Sequence, residues 1–372
     1  MLLTNLQLKQ FRNYTELSLD FSKKLVIFLG NNAQGKTNIL ESIFALAMTR
    51  SHRTTNEQEL IHWDCTEAYV AGEVKRGHQQ IPLELFLTKK GRKTKVNHIE
   101  QKKLSSYIGQ LNVILFAPED LSLVKGSPQL RRKFLDMEIG QMNAVYLYDL
   151  QQYQKILKQR NQYLKQMAEQ KATDELYLSI LTEQLVEAGS KVLLTRQRFA
   201  QRLENWANQL HQKISQSKET LTIHYSSTVA FEGTDDLAII QEKYQQALAK
   251  VKDKEKYRQM TLVGPHRDDL AFFINEKNVQ NFGSQGQQRT TALSVKLAEI
   301  DLMHEETGEY PILLLDDVMS ELDDVRQMHL LEAIENKVQT FLTTTTLEHL
   351  KNKMTVEPEI YYVDQGKIIK GA

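Results

Sequence analysis

The chain has 372 residues, 41% of them hydrophobic, and its 47 basic and 47 acidic side chains cancel. That length holds one large domain or two ordinary ones with a sizeable core, and the balance excludes an overall positive field, so any nucleic-acid surface must be a local patch. One cysteine, Cys65, excludes a disulfide framework, and with no signal sequence at Met1-Leu2-Leu3-Thr4 and no apolar run of about 20 residues, a cytoplasmic protein without membrane spans is expected.

The first part of the chain alternates apolar and polar residues in short runs, such as Leu6-Gln7-Leu8, 68–74 and 83–87, which predicts strands. Among them, the β-prone run Leu25-Val26-Ile27-Phe28-Leu29 leads into Gly30-Asn31-Asn32-Ala33-Gln34-Gly35-Lys36-Thr37, and residues 38–46 then carry apolar side chains at helical spacing. This is a complete G-x-x-x-x-G-K-[ST] phosphate loop in its proper strand and helix context. Glycines let successive N–H groups face phosphates, and the helix N-terminus, with Asn38 in its first turn, adds the positive end of its dipole. Lys36 is expected on the β- and γ-phosphates and the Thr37 hydroxyl on Mg²⁺, which makes ATP and Mg²⁺ the expected cofactors.

Lys89-Lys90-Gly91-Arg92-Lys93-Thr94-Lys95 lies between strand-like runs and reads as a basic hairpin, with Lys89, Lys90, Arg92, Lys93 and Lys95 as candidate DNA contacts or a solvated turn. Residues 126–261 change character to long Gln-, Lys-, Glu- and Leu-rich stretches. Tyr153, Ile156, Leu157, Arg160, Leu164 and Met167 form one helical stripe, and Leu176, Ile180, Leu181, Leu185, Ala188 and Val192 another. No strict heptad persists, so a packed helical lobe is expected rather than an extended coiled coil. Arg131 and Arg132 are read as structural, pairing with Asp136 or Glu138, in preference to a DNA role. Strand character returns at 220–225 and 270–274.

Phe282-Gly283-Ser284-Gln285-Gly286-Gln287-Gln288-Arg289 precedes a helical run, and Ile312-Leu313-Leu314-Leu315-Asp316-Asp317 is an apolar strand ending in paired carboxylates. With a phosphate loop in the same chain, this strand reads as Walker B, Asp316 holding the Mg²⁺ shell and Asp317 orienting the attacking water. Residues 340–344 read as its neighbour in a buried parallel sheet. The expected fold is therefore α/β, an ATPase head split between 1–125 and 262–372 with a helical lobe inserted at 126–261.

The Ser284-Gln285-Gly286-Gln287 core resembles the signature motif of ABC-type ATPases, and Met319-Ser320-Glu321-Leu322-Asp323 resembles their D-loop. In that superfamily the signature contacts the γ-phosphate of ATP held by a second protomer, which implies a head-to-tail, ATP-dependent homodimer. Within it, Leu8-Lys9-Gln10-Phe11-Arg12-Asn13-Tyr14, Arg50-Ser51-His52-Arg53, Pro118-Glu119-Asp120-Leu121 and Gly264-Pro265-His266-Arg267-Asp268-Asp269 resemble the RecF family.

The resemblance implies an ATP-dependent DNA-binding factor of replication and recombinational repair with weak, DNA-stimulated ATPase activity. It implies that Arg12 and Asn13 approach the nucleotide and that RecR-like and RecO-like proteins are partners in loading recombinase at gapped DNA. Asp317 stands where most ABC-type ATPases carry a catalytic glutamate. Thr345, Thr346 or His349 stands for the switch histidine, and no glutamine marks a Q-loop near Phe116-Ala117-Pro118-Glu119. The alternative reading is an ATP-switched assembly module whose partner supplies the DNA contact. A transporter ATPase is disfavoured by the helical insertion, and a fused nuclease by the roughly fifty residues that follow Walker B.

Overall fold

Alternation of apolar and polar residues builds an antiparallel sheet at the start of the chain. In the computed structural model, which describes residues 1–371 apart from 172, 232, 321, 336 and 348–355, β1 (Leu2–Phe11) and β2 (Tyr14–Asp20) form a hairpin. Next, β3 (Leu25–Leu29) leaves for a second sheet, and α1 (Lys36–Met48) follows the phosphate loop. Strands β4 (Glu67–Arg76), β5 (Gln79–Thr88), β6 (Gly91–Val96) and β7 (Ile99–Glu100) then return, giving the order β2-β1-β4-β5-β6-β7.

The second sheet takes β3 and β8 (Val113–Phe116) from the first part of the chain and its other strands from the far end. Between them run α2 (Leu121–Lys125), α3 (Pro128–Met142), α4 (Ala144–Ala168) and α5 (Glu175–Ile214). After these come β9 (Leu221–Ser226), α6 (Leu237–Arg258), β10 (Asp269–Ile274) and β11 (Lys277–Asn278), the three strands forming a small antiparallel sheet. Then α7 (Val279–Phe282) and α8 (Gln285–Thr307) lead to β12 (Ile312–Asp316), α9 (Asp324–Ile334), β13 (Thr340–Thr344), β14 (Glu359–Asp364) and β15 (Lys367–Lys370).

In the second sheet the order is β15-β14-β3-β13-β12-β8, parallel except for β15. Every residue of β12 and β13 is buried, as expected of parallel strands covered on both faces. Phe28, Phe341 and Tyr361 stack between its strands. Helix α1 packs against strands of both sheets and is buried along nearly its whole length, so its apolar spacing lacks a polar face.

The chain divides into two compact units, 1–121 with 209–218 and 292–372, and 122–208 with 219–291. This differs from the boundaries drawn on sequence, because 262–291, with the signature turn, groups with the helices. The cause lies in side chains far apart in sequence. Arg131, buried on α3, forks onto Asp269 of β10 at 2.7 and 2.9 Å, tying the small sheet to the helical unit. His211, near the end of α5, meets Ser294 of α8 at 3.2 Å in the first unit. Arg131 thus pairs with Asp269 rather than Asp136 or Glu138, while Arg132 donates to the Asp268 carbonyl at 2.7 Å. On α5 the predicted stripe is buried at Leu181, Leu185, Ala188 and Val192, but Leu176 and Ile180, near the start of the helix, are exposed.

The Gly264–Asp269 segment is a structural knot of the second unit. Asp268, fully enclosed, accepts from Tyr225, Ser227 and both the amide and the hydroxyl of Thr228. His266 is fixed through Tyr153 at 2.6 Å and the Thr261 carbonyl at 3.0 Å. Burial holds its pKa down at about 4, so the ring is neutral at pH 7.

Candidate functional site

The phosphate loop is shaped by backbone that only its residues tolerate. Gly35 has φ 112°, and a Cβ there would lie 2.6 Å from the Asn13 amide and 2.8 Å from the Tyr14 hydroxyl. Gly30 passes so close to the Val363 carbonyl that a Cβ would sit 2.2 Å from it. The turn between β14 and β15 clamps the loop from outside, Gln365 and Gly366 donating their amides to the Gln34 side chain and carbonyl. A cleft of about 360 Å³ results, lined by Asn32, Ala33, Gly35, Lys36, Thr37, Asn38, Arg53, Asp317 and Thr343.

Within the cleft the Lys36 ammonium donates to the Gly30 and Asn31 carbonyls at 2.5 and 2.8 Å. Burial lowers its pKa, and Asp317 and Asp316 oppose that shift. The parallel register of β12 and β13 sets Asp316 opposite Thr343, and both face the first turn of α1. Asp316 Oδ1 accepts from Thr37 Oγ1 and from Thr343 Oγ1, each at 2.9 Å. Thr343 in turn accepts from the amide of Asp317, at 2.9 Å, whose φ is 53°.

This donor set fits Mg²⁺. Thr37 and Asp316 present hard oxygens 2.9 Å apart, the separation of adjacent ligands in an octahedron with metal–oxygen bonds of about 2.0–2.1 Å. Lys36, the open loop amides and the helix N-terminus fit a triphosphate.

The remaining residues singled out on sequence sort themselves plainly. Asn13 accepts from the Asn38 amide at 2.8 Å and so touches the loop. Arg12 does not line the cleft: it turns away to grip Glu41 through two bonds and donates to the Glu59 carbonyl at 2.8 Å. Thr345 and Thr346 also lie off the cleft lining, while His349 and Glu321 fall outside the described residues. Thr343 and Arg53 are the lining residues that motif reading missed. The first is set by the β12–β13 register that puts Thr343 beside Asp316, which no motif marks. Arg53 had only its place in a family motif to mark it.

The signature turn lies in the second unit. Ser284 caps α8 reciprocally, accepting from the Gln287 amide at 3.2 Å while Gln287 Oε1 accepts from the Ser284 amide at 2.9 Å. Gln285 is exposed, Gly286 half-buried, and Gln287 also donates to Glu219 at 2.9 Å. The residues read on sequence as a signature motif thus form a helix-capping turn with Ser284 and Gln285 exposed.

In the basic hairpin, Lys89 and Lys90 form the exposed tip, and among the described residues their ammonium groups meet no acid. Lys93 faces Glu100 at 4.0 Å in the open. Arg92 is committed to Glu57 and the Thr49 carbonyl, and Lys95 lies 3.7 Å from Glu84 and over the Phe86 ring, so these two serve the sheet.

Residues 2–369 match the RecF/RecN/SMC N-terminal domain family. The DNA replication and repair protein RecF of Enterococcus faecalis is 65% identical over 369 residues, covering 99% of this chain and 98% of that protein. The chain belongs to the RecF family. The RecF protein of Bacillus subtilis is 53% identical over 370 residues, with complete coverage of both chains. A solved structure of the recombination mediator RecF with ATP, of the RecFOR pathway, superposes with a TM-score of 0.91 at 35% identity, covering 100% of this chain and 97% of that one. An Smc head domain from Pyrococcus furiosus, 15% identical, has a TM-score of 0.55 over 100% of this chain and 96% of that one, and shares the fold alone. The α/β architecture expected from the motifs is thus that of RecF and SMC-type ATPase heads.

Proposed function

We propose that this protein is an ATP-dependent DNA-binding recombination mediator that dimerises on ATP, clamps duplex near single-stranded gaps and works with RecR-like and RecO-like partners. The observation that carries it is the Thr37–Asp316–Thr343 cluster beside Lys36, a triphosphate and metal site in a chain that RecF relatives match end to end. Lys36 gives up its carbonyls for phosphate oxygens. Thr37 and Asp316 would hold the metal, which when bound would offset charge on the terminal phosphates. Asp317, one methylene shorter than glutamate and on strained backbone, reaches attacking water poorly, so weak ATPase activity follows. Ser284 to Gln287 complete the second protomer's site once the partner phosphate displaces the cap.

Sedimentation with and without ATP and Mg²⁺ tests this reading. A nucleotide-dependent dimer is expected, absent in Ser284→Arg although that variant still binds ATP. A dimer that forms equally well without nucleotide sinks the clamp.

The second reading, DNA contact supplied by a partner, is favoured by one observation: few hairpin cations are uncommitted. Lys89→Glu with Lys90→Glu is expected to weaken duplex binding about tenfold at moderate salt and to flatten its salt dependence by about two phosphate contacts. Unchanged affinity of the purified protein would move the DNA contact off this hairpin.

A further inference from the structure

Glu41, on α1, is fully buried yet charged. Burial pushes its carboxyl up, but the bonds from Arg12 and Ser51 outweigh that and leave it below the ordinary range. Arg12 alone neutralises it, donating Nε to Oε2 at 2.9 Å and a terminal nitrogen to Oε1 at 2.7 Å. A second arginine is therefore not needed to bury this carboxylate. Arg53 nonetheless lies 3.6 Å from Oε2, with 46% of its side chain exposed, and it lines the nucleotide cleft.

The loop that carries Arg53 is tied to the same carboxylate. Ser51 Oγ donates to Glu41 Oε1 at 2.5 Å and accepts the amide of Arg53 at 2.9 Å. The same Arg53 nitrogen donates to Asn38 Oδ1 at 3.1 Å, and Asn38 donates on to Asn13 at 2.8 Å. A chain of contacts thus links Asn13, Asn38, Arg53, Ser51 and Glu41 along the first turns of α1. Among the described residues the other guanidinium nitrogens of Arg53 have no partner, and they belong to a side chain on the cleft wall.

We infer that Glu41 is a positioning residue for nucleotide binding: through Ser51 and its own charge it aims Arg53 at the triphosphate, whose oxygens take the guanidinium donors that the protein leaves open. This rests on the ATP reading above. Arg53 adds to the cleft a cation besides Lys36 that a phosphate loop alone does not supply, and Glu41, already neutralised by Arg12, holds it weakly enough to let it turn to the ligand.

Titration of a fluorescent ATP analogue into wild type, Glu41→Gln, Arg53→Ala and the double variant tests it, with Lys36→Met as control. Arg53→Ala is expected to weaken affinity about tenfold, with Arg53→Lys in between. Glu41→Gln should cost about fivefold in wild type but less than twofold in the Arg53→Ala background, because it acts through Arg53. Equal losses in both backgrounds, or an Arg53→Ala variant with wild-type affinity, overturn the inference. If Glu41→Gln does not fold, Ser51→Ala replaces it in the same cycle with the same required coupling. Wild type that binds no ATP would instead defeat the nucleotide reading itself.

Discussion

Lys36→Met is expected to lower ATP affinity more than about 100-fold while leaving the melting temperature within a few degrees of wild type. The side chain is only 7% exposed, and its ammonium is held at the mouth of the phosphate loop by the Gly30 and Asn31 carbonyls. Phosphate oxygens replace those carbonyls on binding. Two charge-assisted bonds at about 1.5–3 kcal/mol each amount to about two or more decades in affinity. Methionine keeps the length and packing of the stem, so the loss falls on ligand rather than fold. Calorimetric titration with ATP and Mg²⁺ decides it; a loss below tenfold would mean that backbone amides and Arg53 carry most of the triphosphate binding.

The second large effect is on stability. Gly264→Ala is expected to destabilise the helical unit by about 3–5 kcal/mol. Gly264 has φ 124°, and a Cβ there would sit 1.9 Å from the Tyr244 hydroxyl and 2.8 Å from that of Tyr153. Both tyrosines are at most 1% exposed and cannot swing aside, and the Gly264 amide is already fixed on Thr228 at 2.8 Å. Backbone strain and overpacking therefore add. Urea unfolding followed through Trp206, which lies on α5, reads the change, and Gly233→Ala is the control. Gly233 also has positive φ, 78°, but nothing lies within 4 Å of its Cβ position, so only the backbone penalty of about 1–2 kcal/mol is expected.

What the sequence made legible follows from how local each cause is. The phosphate loop, the buried strands at 25–29, 312–316 and 340–344, and the capped helix after Ser284 are set by neighbouring residues, and all appear where spacing put them. The bond of Arg12 to Glu41 was not legible because Glu41 lies 29 residues away and on a helix that both sheets cover. Arg131 found Asp269 rather than a carboxylate further along its own helix, a pairing 138 residues long that no periodicity encodes. Arg53 and Thr343 entered the cleft through register and loop anchoring. Such contacts depend on which strand lies beside which, and only the assembled sheet fixes that.

The single hydroxyl of Thr343 joins the carboxylate of Asp316 to the backbone of Asp317, giving its proton to the first and accepting from the amide of the second. With Asp316 on metal and Asp317 on water, as proposed above, the two roles share one tether. On that reading a substitution that frees one also slackens the other, so retention of nucleotide and rate of hydrolysis are expected to change together. Faster variants should arise by changes at both ends of that tether together, and rarely by one alone.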